Sequence, residues 1–386
     1  MCQQTQQISA ILDYFAQMEH IRHERAQHLA GGPEFEFRQE DGFAVLTRFR
    51  GDRPAVAVPE KHRGLPVREI APYAFAHCAE LRRVVIPEGV ERIGEGAFGR
   101  CTELESVSLP QSVTELGAQC FAECERLRTL LLPQGLTAIP AGLCWGCTAL
   151  TEVRLPERAC RAIGRQAFSE CTSLRALTLP EGVAEVAEMA FFRCTALRRI
   201  TLPAGLKAVG RSAFAFCRSL RGIALPEGVE HLGEEAFFAC AGLQAVQLPS
   251  SLTEVEGNPF GGCDALEVIT VAQGNPVLRM EGGLLLHLTR RAVLCCPAAR
   301  GMTFAVLPQG TREICSHAFS GCRMLRRVTL PESVRRIGNA AFSGCRSLRG
   351  INLPGSIGQT GTDVFDGCSG LSIDTPEAEY AARMEN

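Results

Sequence analysis

The chain has 386 residues, 46% of them hydrophobic and 21% charged, a composition that excludes disorder in a length beyond the usual single domain. A formal net charge of −2 provides no global field to gather nucleic acid or anionic membrane, and sequence-specific nucleic-acid binding is not expected. One Trp and three Tyr are few for a surface that recognises through aromatic contact, whereas 20 Phe and 19 Cys are frequent enough to need a reason.

In chain order, residues 1–32 open with Met1-Cys2-Gln3-Gln4, without the basic start of a secretory leader, and Asp13 and Glu19 interrupt the apolar residues that follow. Ile8, Ile11, Leu12, Phe15, Met18 and Leu29 fall near one stripe, stopped by Gly31-Gly32-Pro33, so an N-terminal amphipathic helix is predicted. It would pack on the rest of the chain or mediate self-association. Its polar face mixes acids with bases, which argues against a membrane-surface helix, and no run approaches the roughly 18 apolar residues of a transmembrane span. The expected location is therefore the cytoplasm, with reduced thiols; secretion or surface display by an unrecognised route is the alternative.

Residues 33–72 alternate as strands do at Phe35, Phe37 and Ala44-Val45-Leu46, then reach Val58-Pro59 and Gly64-Leu65-Pro66-Val67, and read as a β-rich cap. Over residues 73–270 a single unit recurs. Cysteines stand at 78, 101, 124, 147, 171, 194, 217, 240 and 263, each step 23 residues except one of 24, and the unit returns at Cys322, Cys345 and Cys368. Each cysteine is followed three residues later by Leu, from Leu81 to Leu371, and preceded by Phe at the same distance, except that Cys144 precedes Cys147. The unit reads Ala-Phe-x-x-Cys-x-x-Leu-x-x-Val-x-Leu-Pro-x-x-Val-x-x-Ile-Gly. In Leu104-Glu105-Ser106-Val107-Ser108-Leu109, Val107 and Leu109 share one face of a strand and Ser106 and Ser108 the other; Pro110, lacking an N–H, ends the ladder. Gly94, Gly117, Gly164, Gly210, Gly233 and Gly338 fall where a sharp turn is needed before the Phe segment. One coil of this size cannot bury its apolar face alone, so the coils must stack.

The motif from Ala97-Phe98 through Leu109-Pro110 resembles the bacterial surface-antigen (BspA-type) leucine-rich repeats, and the resemblance covers roughly residues 55–375. It implies an α/β, β-rich class: a right-handed leucine-rich-repeat solenoid of about twelve 23-residue coils with parallel strands on its concave face. It also implies adhesion or protein binding as the family's business, although this sequence shows no export signal. Residues 271–305 break the period, because Cys263 and Cys322 are 59 residues apart rather than 46. Gly282-Gly283-Leu284-Leu285-Leu286 and Ala292-Val293-Leu294 predict an inserted hairpin there. Repeats resume over 306–375, and residues 376–386 read as a C-terminal capping helix.

Gly94-Glu95-Gly96-Ala97-Phe98-Gly99 spells G-x-G-x-x-G but lies inside a repeat without βαβ context or a phosphate-loop lysine. Cys144-Trp145-Gly146-Cys147 has redox and zinc spacing, yet Cys147 belongs to the ladder and Cys144 fills a Phe position. Cys295-Cys296 is a vicinal pair in the insertion. His23-Glu24-Arg25-Ala26-Gln27-His28 is one residue too long for H-E-x-x-H, and an i,i+5 pair does not share a helix face. No catalytic residue, cofactor or metal ligand is assigned, and the expected role is a non-enzymatic scaffold for an unknown protein partner.

The partner-binding positions are the two outward residues of each strand, a series that is small and polar and without an aromatic anchor cluster. Within it Arg83, Arg154, Arg199 and Arg327 are the expected anchors, since arginine is enriched at binding hot spots. A second stripe follows the ladder leucines: Arg82, Arg128, Arg175, Arg198, Arg221, Arg326 and Arg349, with Glu88, Glu157, Glu181, Glu227 and Glu332 directly after proline on the other edge. The basic edge makes a polyanion or glycan the alternative ligand.

Overall fold

The computed structural model describes residues 34–374; the expected N-terminal and C-terminal helices, the histidines of the former and its part in self-association lie outside the described residues. The chain divides into two compact units, Met1–Val183 and Ala184–Asn386. Both are leucine-rich-repeat solenoids of stacked β-coils with parallel strands. The helical part of the expected α/β class amounts, among the described residues, to one 3-10 turn, Ala298–Arg300.

In the first unit the expected strands form one parallel row: Ala55–Ala57, Arg83–Val85, Ser106–Ser108, Thr129–Leu131 and Glu152–Arg154. A second parallel row, which the sequence did not announce, runs through the Val-x-x-Ile-Gly segment. It begins with the antiparallel hairpin Phe35–Glu40 and Phe43–Phe49, and continues in parallel through Leu65–Ile70, Arg92–Ile93 and Glu115–Leu116. The second unit repeats both rows. Its first row holds Gly222–Ala224, Ala245–Leu248 and Val268–Val271, then Phe304–Val306, Arg327–Thr329, Gly350–Asn352 and Ser372–Asp374. Its second row holds Glu185–Val186, Ala208–Val209, His231–Leu232 and Glu254–Val255, then Ala292–Cys295, Glu313–Ile314, Arg336–Ile337 and Gln359–Thr360. Between the two stretches, Leu278–Glu281 and Leu284–His287 pair antiparallel, and Leu284–His287 pairs antiparallel with Ala292–Cys295.

Side chains explain the repeat letter by letter. The ladder phenylalanines from Phe75 to Phe342 are buried, and neighbours stack: Phe49 on Phe75 at 5.2 Å between ring centroids, Phe75 on Phe98 at 4.9 Å, and, in the second unit, Phe191 on Phe214 at 5.2 Å and Phe214 on Phe237 at 5.3 Å. From Phe75 on, most of these Phe residues are flanked two residues either side by a left-handed residue, such as Gln119 and Glu123 around Phe121 or Met189 and Arg193 around Phe191. These paired bends turn the ring inward without a helix.

The cysteines do more than fill space. Most ladder thiols point at the carbonyl 26 residues earlier: Cys101 Sγ donates to Phe75 O at 3.1 Å, Cys124 to Phe98 O at 3.2 Å, Cys240 to Phe214 O at 3.1 Å and Cys345 to Phe319 O at 3.1 Å. Each of these carbonyls already accepts the backbone N–H three residues on, as Phe75 O does from Cys78 N at 3.1 Å, and the small apolar thiol adds a second, weak donor to it. The glycine before the Phe segment has a reason different from the one expected. Gly94, Gly117, Gly233 and Gly338 do not adopt positive φ; a Cβ on them would stand 2.4, 2.2, 2.4 and 2.3 Å from a backbone nitrogen of the preceding coil. Close stacking, not turn geometry, excludes a side chain there.

Candidate interaction surface

Two strand rows give each unit two outer faces, and the faces differ in chemistry. On the second row the outward residues are mostly polar or charged, including Arg92, Glu115, Glu185, His231, Glu254, Glu313 and Arg336. Several ion pairs run between neighbouring coils along or beside this row: Arg92 with Glu69 at 2.5 Å, Arg68 with Glu91 at 3.0 Å, Lys207 with Glu230 at 2.9 Å, and Glu313 with both Arg290 at 3.0 Å and Arg336 at 3.3 Å. Exposed pairs of this kind add little stability, about 0–1 kcal/mol each, and Glu115, Glu185 and Glu254 have no cation within 4.0 Å among the described residues.

The first row alternates, with its middle residue turned inward and its first and third residues outward, as in the exposed–buried–exposed strands Arg83–Val85, Glu152–Arg154, Arg199–Thr201 and Arg327–Thr329. All four expected anchors, Arg83, Arg154, Arg199 and Arg327, therefore stand on this row. Arg154 folds onto Glu152 of its own strand at 3.2 Å, and Arg327 lies against Gly350 of the next. Arg83 and Arg154 belong to the first unit and are three strands apart; Arg199 and Arg327 belong to the second.

The flanking stripe is exposed as well: Arg82, Arg128 and Arg175 in the first unit, Arg198, Arg221, Arg326 and Arg349 in the second. Arg82 reaches Glu103 at 3.8 Å and Glu105 at 3.9 Å. Among the described residues no carboxylate lies within 4.0 Å of Arg83, Arg128, Arg175, Arg198, Arg199, Arg221 or Arg326. On the acidic edge, Glu227 accepts from Ser250 N at 3.1 Å and Ser250 Oγ at 3.0 Å, which hold its carboxyl below the ordinary range.

Of the six large hydrophobic side chains that are exposed among the described residues, five occupy outward positions of the first row: Val85 (53%), Leu131 (51%), Val268 (50%), Phe304 (65%) and Val306 (71%). None lies on the second row. Phe304 and Val306 are apolar exceptions to the small and polar surface expected, with Phe304 an exposed aromatic side chain on this row. The insertion hid them, since counting forward by 23 from Val268 misses the strand. Counting back from Leu307-Pro308 would have found Phe304-Ala305-Val306 in the x-Val-x-Leu-Pro frame.

The motifs with possible chemistry resolve as structure. Cys144 is fully buried in the Phe position of its coil; its carbonyl accepts from Cys171 Sγ at 3.2 Å, and burial pushes its thiol far up. Cys296 plays the same part beside the insertion, 23 residues before Phe319, with Cys322 Sγ 3.9 Å from its carbonyl; Cys295 is buried beside it and its thiol is likewise pushed up. Among the described residues no group of three or more His, Cys, Asp or Glu could hold a metal ion, and no helix is long and apolar enough to cross a membrane.

Comparison with known proteins agrees with this architecture. The profile of the BspA-type leucine-rich repeat region matches in six copies over residues 68–161, 161–278 and 298–378. A leucine-rich repeat protein from Bacteroides ovatus is similar in structure, with a TM-score of 0.62 and 23% identity, over 92% of this chain and 96% of that one. A leucine-rich cell surface protein from Faecalibacterium prausnitzii is similar with a TM-score of 0.54 and 24% identity over the same shares of the two chains. No curated protein matches the chain in sequence.

Proposed function

The chain belongs to the BspA-type leucine-rich repeat family, and on that premise we propose that it is a non-catalytic scaffold that binds a protein partner through the first strand row. One observation carries this reading: five of the six exposed large apolar side chains and the arginines without carboxylate neighbours share that row and its edge, while the second row presents no exposed large apolar side chain and carries ion pairs from coil to coil. Apolar anchors beside arginine make the usual composition of a binding hot spot. Arg83, Arg199 and Arg327 would supply directed hydrogen bonds, and Val85, Leu131, Val268, Phe304 and Val306 the buried area.

Surface display or secretion suits this role better than the cytoplasm, and the Faecalibacterium protein of the same fold is described as a cell surface protein. Fractionation of the native organism tests the location. The partner surface is tested by isolating the bound protein with the full chain, then repeating the binding with Phe304→Asp and Arg199→Glu against Glu254→Lys and Arg92→Glu. The first pair should weaken binding at least about tenfold and the second pair should leave it unchanged; the opposite pattern overturns the assignment.

A second reading follows from Arg128, Arg175, Arg198 and Arg221, which stand exposed with no carboxylate in reach among the described residues. Along this edge a polyanion or acidic glycan would bind with affinity that falls steeply with salt. Binding to a heparin column that survives Arg198→Ala and Arg221→Ala together would remove it.

A further inference from the structure

The inserted strands of the second unit open a groove of about 480 Å³, lined by Leu286, His287, Leu288, Arg291 and Ala292 on one segment, by Pro308–Thr311 on another, and by Glu281. Volumes of this size are those of small-molecule sites. Its polar members depart from the repeat. Thr311 is buried at the position that holds Val90, Val113, Val229 and Val334 in other coils. His287 is only 6% exposed on a strand otherwise made of leucines. Its Nδ1 accepts the backbone N–H of Arg290 at 3.4 Å, a contact that leaves Nε2 to carry the ring proton. Burial, and then the charge of Arg290, holds the imidazole below its ordinary value, so the ring is a neutral donor near pH 7.

The two adjacent arginines differ. Arg290 is committed, donating to Glu313 Oε2 at 3.0 Å and Val255 O at 3.3 Å. Arg291 lines the groove, is exposed, and has no carboxylate within 4.0 Å among the described residues. One buried neutral donor and one uncommitted guanidinium thus share a wall with Leu286, Leu288, Ala292 and Pro308.

We propose that this groove binds a small organic monocarboxylate with an aliphatic body, its carboxylate held by His287 Nε2–H and the Arg291 guanidinium and its aliphatic part resting on Leu286, Leu288, Ala292 and Pro308. Charge-assisted donation to a carboxylate is the strongest contact such a wall can make. Glu281 on the same lining disfavours a second negative charge, which separates this ligand from phosphate. The site does not depend on the first strand row.

The test is calorimetric titration of the full chain with 4-methylpentanoate, with 4-methylpentylamine and inorganic phosphate run alongside. Saturable binding of the carboxylate alone is expected. Arg291→Asn, chosen because asparagine tolerates the left-handed φ of 54° at this position, should weaken it about tenfold. Glu281→Gln should strengthen it or leave it intact. No saturable carboxylate binding, equal binding of the amine, or affinity unchanged in Arg291→Asn overturns the proposal.

Discussion

Replacing Phe214 by alanine tests the register of the whole repeat. The ring is fully buried between Phe191 and Phe237, at 5.2 and 5.3 Å and within 6° of parallel to each. Its removal forfeits the transfer energy of an aromatic side chain and two ring stacks, and the hole cannot close readily. The backbone is tied on both sides, by Phe191 N to Ala213 O and Phe214 N to Ala236 O, each 2.8 Å, and Cys240 Sγ is fixed to Phe214 O at 3.1 Å. Phe→Ala substitutions in rigid cores fall in the range of about 3–5 kcal/mol, and this site belongs in its upper half, about 4 kcal/mol. Phe216, two residues on, is the internal control. It is half-buried and meets Phe192 and Phe238 edge-on at 77° and 76°, so Phe216→Ala should lose only about 1 kcal/mol. Urea unfolding followed by circular dichroism, with the m-value checked for constancy, measures both. Equal losses at the two positions, or less than about 1 kcal/mol at Phe214, would refute the inward assignment of the phenylalanine ladder.

Gly233→Ala places a Cβ 2.4 Å from the backbone nitrogen of Arg211, where no side chain can yield; a loss of about 2–3 kcal/mol is expected in the same urea assay, and a neutral effect would contradict the close-stacking role. Alkali should unfold the protein early. Burial pushes Cys315 up to about 12 and Cys101, Cys124, Cys144, Cys217 and Cys263 well above their ordinary value. Thiols raised in the folded state contribute fully below the unfolded value of about 8.5, and each loses up to about 1.4 kcal/mol per pH unit above it. The urea midpoint should hold between about pH 6 and 8 and fall steeply above about pH 9; a midpoint unchanged at about pH 10.5 would show the ladder thiols to be ionisable in place.

The solenoid was legible because the Phe, Cys, Leu and Leu-Pro positions recur as identities, not merely as an apolar pattern. The alternation in Ser106-Val107-Ser108 was enough to separate inward from outward residues on the first row. The second row was hidden because its strands are two residues long, as in Arg92–Ile93, too short for any alternation to register. The role of Gly233 was hidden because a glycine that admits a neighbouring backbone looks, in sequence, like one that permits a turn. The place of Cys296 in a Phe position was hidden because the insertion displaced it from the 23-residue count. The same displacement concealed Phe304 and Val306. What the sequence could not reveal is the difference between the two faces, since Arg92 and Arg199 are alike as letters and differ only in whether a neighbouring coil supplies a carboxylate.

The most direct test of the binding face is position-resolved photo-crosslinking in the native organism. A benzophenone amino acid placed at Val306, Thr201 or Val85 on the first row should capture a partner, and one placed at Glu254, Arg92 or Gln359 on the second row should not. Adducts confined to the second row, or of equal yield on both, would contradict the assignment of the first row as the partner surface.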